Sequence, residues 1–213
     1  MEASFWHQKW ERKEIAFHEG DTNALLLAHF DKLNLAPSSR VFIPLCGKTR
    51  DIAWLLASGY QVVGAELSEL AIKALFEELG VEPNITSHGN FMRYHAPDID
   101  IFVGDFFDLT AEIIGEVDAI YDRAALVALN DSLRGQYAEH LINISRAAAQ
   151  LIITYEYDQT VIPGPPFSVE ESQVREFYEA TYQLTFVERQ AIEGGLKGKV
   201  ASWEAVWLLK ASV

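Results

Sequence analysis

Between Arg40 and Ser68 the chain reads RVFIPLCGKTRDIAWLLASGYQVVGAELS. This pattern constrains the fold more than any other part of the sequence. Val41-Phe42-Ile43 form an apolar run that enters a loop, Pro44-Leu45-Cys46-Gly47. A helix-compatible segment follows to about Ser58, where Gly59 stops it, and a second apolar run, Val62 to Ala65, leads to Glu66. Continuous apolar strands separated by one helix define a βαβ unit, whose strands are parallel and buried on both faces. Glu66 lies 19 residues after Gly47, close to the interval at which such units place a carboxylate on a ribose diol. The unit therefore predicts an adenosine-type ligand.

The remaining segments extend the alternation. Asp21 or Thr22 can cap a helix through ALLLAHFDKLNL, and Ser68 can cap ELAIKALFEEL, which Gly80 ends. Residues 81–98 read as an irregular, polar excursion. Short strands are expected at Ile101–Gly104, Val117–Tyr121 and Gln150–Tyr155, with an amphipathic helix, SLRGQYAEHLINISRAAA, before the last. Pro163-Gly164-Pro165-Pro166-Phe167 reads as a loop, because proline has no ladder donor. Ser168 to Glu171 reads as a capping box opening a helix to about Thr181. Two β-rich stretches, Leu184–Ala191 and Ala201–Leu209, enclose three glycines and read as an antiparallel hairpin. The fold class is α/β: a doubly wound, mostly parallel seven-stranded sheet with a terminal antiparallel hairpin.

Ligands of such sheets sit beyond the carboxyl ends of the strands. The residues there are Leu45-Cys46-Gly47, Glu66, Asp105-Phe106, Asp122-Arg123 and Glu156. A dinucleotide site needs a glycine-rich loop to cradle pyrophosphate, and this loop has one glycine and a proline. It suits a ribose without phosphates, as in S-adenosylmethionine.

Composition narrows the partners. Acids outnumber bases 31 to 17, the net charge is −14, and no basic run offers itself to a phosphate backbone, so nucleic acid is not an expected partner. No apolar run is long enough to span a bilayer, and the N-terminus lacks the apolar core of a signal peptide. Cys46 is the single cysteine, which suits a reducing cytoplasm and, with scattered histidines, leaves no expected metal site. Beside the loop it reads as a packing residue rather than a nucleophile.

The segments PLCGKTRDIAWL, VVGAELSELA, GDFFDL, YDRAALVAL, ITYEYD and GPPFSV, in this order, resemble the thiopurine S-methyltransferase family. So does the N-terminal W-x-x-x-W-x-x-x-x-x-x-F-H, formed by Trp6, Trp10, Phe17 and His18. The resemblance runs from about Phe5 to the final hairpin, and the short N-terminus is similar to that of bacterial members. It implies a class I methyltransferase fold and one domain over residues 1–213, with residues 1–20 covering the active site. It implies methyl transfer from S-adenosyl-L-methionine to the sulfur of thiopurines and related aromatic thiols, with selenium or tellurium compounds as alternative acceptors.

The resemblance places cofactor contacts at Trp10, Leu45, Glu66 and Arg123. Glu66 can accept both ribose hydroxyls. Trp10 offers an aromatic face to a sulfonium, or serves simply as core mass. Arg123, the candidate catalytic residue, can grip the methionine carboxylate, pair with Asp122 or Glu156, or stabilise a sulfur anion. Asp105 and Phe106 are expected to flank the adenine by hydrogen bond and stacking. Trp6, Phe17, Pro166 and Phe167 are candidate acceptor-pocket walls. His18 reads equally as a base or as a structural histidine. Lys197 or Lys199 stands where related enzymes use a second basic residue. The protein is expected to be a cytoplasmic monomer acting on a small molecule. A non-catalytic sensor of adenosine ligands and a nicotinamide dehydrogenase are competing readings; the missing G-x-G-x-x-G counts against the latter.

Overall fold

Nine strands form one sheet in the computed structural model, which describes residues 3–15 and 18–212. The centre is parallel: β1 (Arg40–Ile43) lies between β2 (Gln61–Glu66) and β6 (Ala119–Arg123), β5 (Ile99–Val103) flanks β2, and β7 (Ala149–Tyr157) flanks β6. The hairpin of β8 (Tyr182–Ala191) and β9 (Ser202–Ala211) adds to β7 through β9, antiparallel. These seven strands are the seven expected from sequence.

The other two correct it. Residues 81–98 are not an irregular excursion: β3 (Asn84–His88) and β4 (Phe91–Ala96) form a hairpin that extends the sheet beyond β5. All five residues of β3 are exposed, so apolar alternation is absent there. In β4 the buried residues Phe91 and Tyr94 are three apart, out of step with a period of two. The legible signal was the turn, Gly89-Asn90, whose glycine has φ +61.

Helices cover both faces. α2 (Ala24–His29), α3 (Arg50–Ala57) and α4 (Glu69–Leu79) pack on a core that includes Val41, Ile43, Val62, Ile101 and Tyr121. A short α5 (Ala111–Ile114), α6 (Asp131–Ser145) and α7 (Glu171–Tyr178) pack on Phe42, Val63, Ile120, Ile152 and Trp207. Each parallel strand therefore sends alternate residues to different cores.

Local chemistry shifts two helix starts from their expected places. α2 begins after Asn23, whose side chain accepts from the Leu25 and Leu26 amides at 3.0 and 3.2 Å, rather than after Asp21 or Thr22. α7 begins after Glu170, whose amide donates to Gln173 Oε1 at 3.3 Å. Ser168 is unavailable as its cap, because its hydroxyl accepts from the Tyr157 amide at 3.1 Å. β7 accordingly runs two residues beyond its expected end, through Glu156 and Tyr157.

Asp122 illustrates what the alternation does at a strand tip. It points into the α6 core, fully buried, and accepts from Tyr137 Oη at 2.7 Å and the Leu126 amide at 3.1 Å. Burial raises its pKa from 3.8 to about 6, against the pull of these two bonds. Between those values the folded chain holds a proton that the unfolded chain has lost, so this group's contribution to stability falls as pH rises through about 6. Asp122→Asn should therefore gain stability relative to the parent by about 1–3 kcal/mol between pH 4 and pH 7. Paired denaturant titrations at the two pH values measure this; an unchanged difference would contradict it.

Candidate active site

The loop after β1 is shaped by two left-handed residues, Leu45 (φ 48) and Gly47 (φ 53). A leucine held there costs about 1–2 kcal/mol, which the surrounding contacts must offset. The Cys46 amide donates to the Ala65 carbonyl at 2.9 Å, carrying the β1–β2 ladder into the loop. Gly64 permits this approach, since a Cβ there would lie 2.9 Å from Cys46 Sγ and 2.5 Å from Ile101 Cδ1. Cys46 is buried, and desolvation, with the charge of Glu66, pushes its thiol well up, which suits packing and opposes nucleophilic use.

Glu66 ends β2 with its carboxylate 19 residues from Gly47 in sequence and 2.8 Å from its amide. The other oxygen accepts from the Ser68 amide at 2.8 Å. Glu66 is 6 % exposed. Burial raises its pKa, opposed by the amides of Ser68, Gly47 and Leu67. Each carboxylate oxygen carries two acceptor sites, so one remains on each after these bonds. That spacing of acceptors fits the two hydroxyls of a ribose.

Two further segments lie beside this loop and strand tip. The Gly104 amide, just past β5, donates to the Glu66 carbonyl at 2.9 Å, which brings Asp105 beside the β2 tip. Asp105 is exposed and accepts from the Phe107 amide at 3.0 Å. Trp10, in α1 (Ala3–Glu11), is buried on the other side, where a Cβ on Gly47 would meet its ring at 3.2 Å. Phe106 departs from its expected stacking role. A 3-10 turn from Phe106 to Asp108 sends its ring into the α6 core, 4.9 Å from Tyr137 and 5.1 Å from His140, so only its backbone remains for a ligand.

Arg123 ends β6 on the opposite face from Asp122, and so the two do not pair. Its side chain is 6 % exposed, and its guanidinium forms an ion pair with Glu19 of the N-terminal segment. Glu156 is engaged elsewhere, by Arg189 at 2.7 Å, and Arg189 lies 4.2 Å over the Trp203 ring. Burial opposes the charge of Arg123, but Tyr155, Glu19, Tyr121 and Asp51 around it outweigh that and raise its pKa. Tyr155 stands between Arg123 and Glu204, its partner across the β7–β9 ladder. Asp51 accepts from Tyr121 Oη at 3.0 Å and from the Asn23 amide at 2.8 Å, tying the start of α2 to β6. Glu19, Tyr155 and Glu204 carried no local sequence signal.

Trp6 is half-buried in α1, edge-on to Phe5 at 5.2 Å. Phe17 falls outside the described residues. The Phe167 amide donates to the Val127 carbonyl at 2.7 Å, and its ring lies 5.5 Å from the guanidinium carbon of Arg134. The Pro166 carbonyl accepts from Tyr157 Oη at 2.6 Å. Lys197 reaches this loop and donates to the Pro165 carbonyl at 3.0 Å. His18 faces Lys48, Glu78, Arg50 and Arg123; burial first, then Lys48, lowers its pKa. An open cleft of about 950 Å³ lies beside β7, lined by Glu156, Tyr157, Arg189 and Trp203 among others; neither Glu66 nor Arg123 lines it. Among the described residues, no group of three or more His, Cys, Asp or Glu is arranged to hold a metal, and no helix is long and apolar enough to cross a membrane.

A sheet in the order β3-β4-β5-β2-β1-β6-β7-β9-β8, parallel at its centre and with an acid at the tip of β2, has the class I fold of S-adenosylmethionine-dependent methyltransferases. The structure of 1,6-didemethyltoxoflavin-N1-methyltransferase from Burkholderia thailandensis, solved with S-adenosylhomocysteine, superposes with a TM-score of 0.65 at 17% identity, over 99% of this chain and 87% of that one. The family model for thiopurine S-methyltransferase matches residues 1–210. Thiopurine S-methyltransferase of Xanthobacter autotrophicus is 51% identical over 211 residues, 99% of each chain. That of Teredinibacter turnerae is 50% identical over 213 residues, covering 100% of this chain and 99% of its own length. The chain belongs to the thiopurine S-methyltransferase family, and its cofactor is S-adenosylmethionine.

Proposed function

We propose that this enzyme transfers the methyl group of S-adenosylmethionine to the sulfur of thiopurines and related aromatic thiols. The observation that carries the reading is the full-length identity of about half the residues to proteins of that name, joined to a ribose-type carboxylate at Glu66.

When bound, S-adenosylmethionine supplies a methyl group already activated by a sulfonium charge. Glu66 accepts the ribose hydroxyls, and the backbone at Leu45 borders the cofactor. Asp105 and the Phe106 backbone meet the adenine edge. Trp10 closes the site over Gly47 and excludes water there. Arg123 faces the reacting sulfur and holds it as the anion. Trp6, Pro166 and Phe167 wall the acceptor. Aromatic thiols ionise near neutral pH, so positioning the sulfur in line with the methyl supplies most of the acceleration and no strong base is needed.

The whole chain acts as one catalytic domain, with residues 1–20 as a strap over the site. A cytoplasmic location keeps the Cys46 thiol reduced. The net charge of −14 favours a small-molecule acceptor over nucleic acid, and the chain works as a monomer. A screen with labelled S-adenosylmethionine across thiopurines, aromatic thiols and reduced selenium and tellurium compounds tests this. Turnover is expected to be fastest with the aromatic sulfur acceptors; preference for inorganic chalcogen species would replace the acceptor assignment.

A further inference from the structure

Arg134, in the first turn of α6, is 1 % exposed at its side chain, yet the carboxylate beside it, Asp131 at 2.7 Å, is 76 % exposed. An ion pair of this kind adds little stability over apolar side chains of the same volume. What it supplies is fixed geometry. Arg134 Nε donates to the Leu129 carbonyl at 3.0 Å, and Nη1 also reaches Gln173 Oε1, in the first turn of α7, at 3.5 Å. With these bonds made, the guanidinium carbon lies 5.5 Å from the centre of the Phe167 ring. The ring also rests on Gly164, where a Cβ would lie 2.5 Å from its Cδ1. Gly164 belongs to the same loop as Phe167, whereas Arg134 ties the ring to α6. Both ends of this tie lead back to β6. Leu129 follows the 3-10 turn Leu126–Ala128, whose first amide is held at 3.1 Å by Asp122, the neighbour of Arg123 in sequence. The Val127 carbonyl, in the same turn, accepts from the Phe167 amide at 2.7 Å. That bond places the Phe167 backbone, and Arg134 aims its half-buried ring.

We propose that Arg134 is a positioning residue for the acceptor: it holds the Phe167 ring fixed relative to the turn that follows Arg123, and so favours flat aromatic acceptors over saturated ones of the same size. This rests on the reading of Phe167 as a wall of the acceptor site. A flat acceptor gains most from a ring that is already ordered, because a free ring must give up its rotation on binding. A saturated ring has no π face to stack and gains little from that order. Lysine at this position keeps the charge, but its ammonium is a point donor on a flexible stem. It lacks the planar fork that joins Leu129 to Gln173 and lies against an aromatic ring. Arg134 acts through Phe167, so the cofactor end of the site is outside its reach.

The test compares the parent with Arg134→Lys, Phe167→Leu and the two combined, using 6-mercaptopurine as substrate and cyclohexanethiol as a saturated competitor. Arg134→Lys should raise KM for 6-mercaptopurine about three- to tenfold, the range of one aromatic contact. The inhibition constant of cyclohexanethiol and the affinity for S-adenosylhomocysteine should each move less than twofold. Phe167→Leu should give the same pattern, and the combined variant should be no worse than Phe167→Leu, because both changes remove one interaction. If Arg134→Lys does not fold, Arg134→Met, which fills the space without a charge, carries the same expectation. Calorimetry of 6-mercaptopurine with S-adenosylhomocysteine bound gives the same comparison. It decides the matter even if the parent methylates no thiol, a result that would count against the proposed function alone. A shift with Phe167→Leu but none with the Arg134 variants, additive effects in the combined variant, or equal shifts for 6-mercaptopurine and cyclohexanethiol would overturn the inference. No shift with Phe167→Leu would overturn it together with the reading of Phe167 as a wall.

Discussion

Glu66→Ala should weaken S-adenosylhomocysteine binding by about 100- to 1000-fold in calorimetry, from the loss of two charge-assisted hydrogen bonds to the ribose. The chain should still fold, with a stability loss of about 1–3 kcal/mol, because the amides of Gly47 and Ser68 lose their buried acceptor. Glu66→Gln is no neutral replacement here. Each carboxylate oxygen already faces a backbone donor, so either orientation of the amide turns its NH2 against an N–H. The glutamine variant should therefore bind more weakly than a simple loss of charge implies. The charge has a pH signature too. Burial raises the pKa of Glu66, so cofactor affinity should fall on acidification earlier than for an exposed glutamate. Full affinity in the alanine variant would remove Glu66 from the ribose.

Arg123→Ala should lower kcat/KM for the acceptor by about 100- to 1000-fold, within the range for deleting one preorganised group that stabilises charge in a water-poor site. The substitution also leaves Glu19 without its cation and takes a charge away from Tyr155 and Glu204. Arg123→Lys retains a charge but not the planar fork, and should recover only part of the loss. S-adenosylhomocysteine affinity should change far less than acceptor kinetics. Unchanged kinetics in the alanine variant would exclude a role for Arg123 in the acceptor step.

Much of this was legible in the sequence where structure is locally encoded. Val41-Phe42-Ile43 and Val62 to Ala65 are continuous apolar runs because both sheet faces are covered. Glu66 was legible because one βαβ unit fixes the distance from its first loop to its second strand tip. The β3–β4 hairpin was not, since backbone ladder bonds hold a strand whose side chains all face solvent. The partner of Arg123 was not legible either: Glu19 is 104 residues away in sequence, and only the fold brings the two together. Its nearer candidates were excluded by geometry that a one-dimensional reading lacks. Asp122 points to the other face, and Glu156 is held by Arg189. Phe106 shows the same limit, because a single 3-10 turn decides whether an aromatic ring meets a ligand or the core.

Sulfur methylation is read directly from the position of the transferred carbon. The purified chain is incubated with S-adenosylmethionine labelled with carbon-13 at the methyl group and with 6-mercaptopurine, and the product is read by NMR. The label is expected on sulfur, as 6-methylmercaptopurine, with one equivalent of S-adenosylhomocysteine formed. Label on a ring nitrogen, or cofactor binding with no transfer to any thiol, would contradict it.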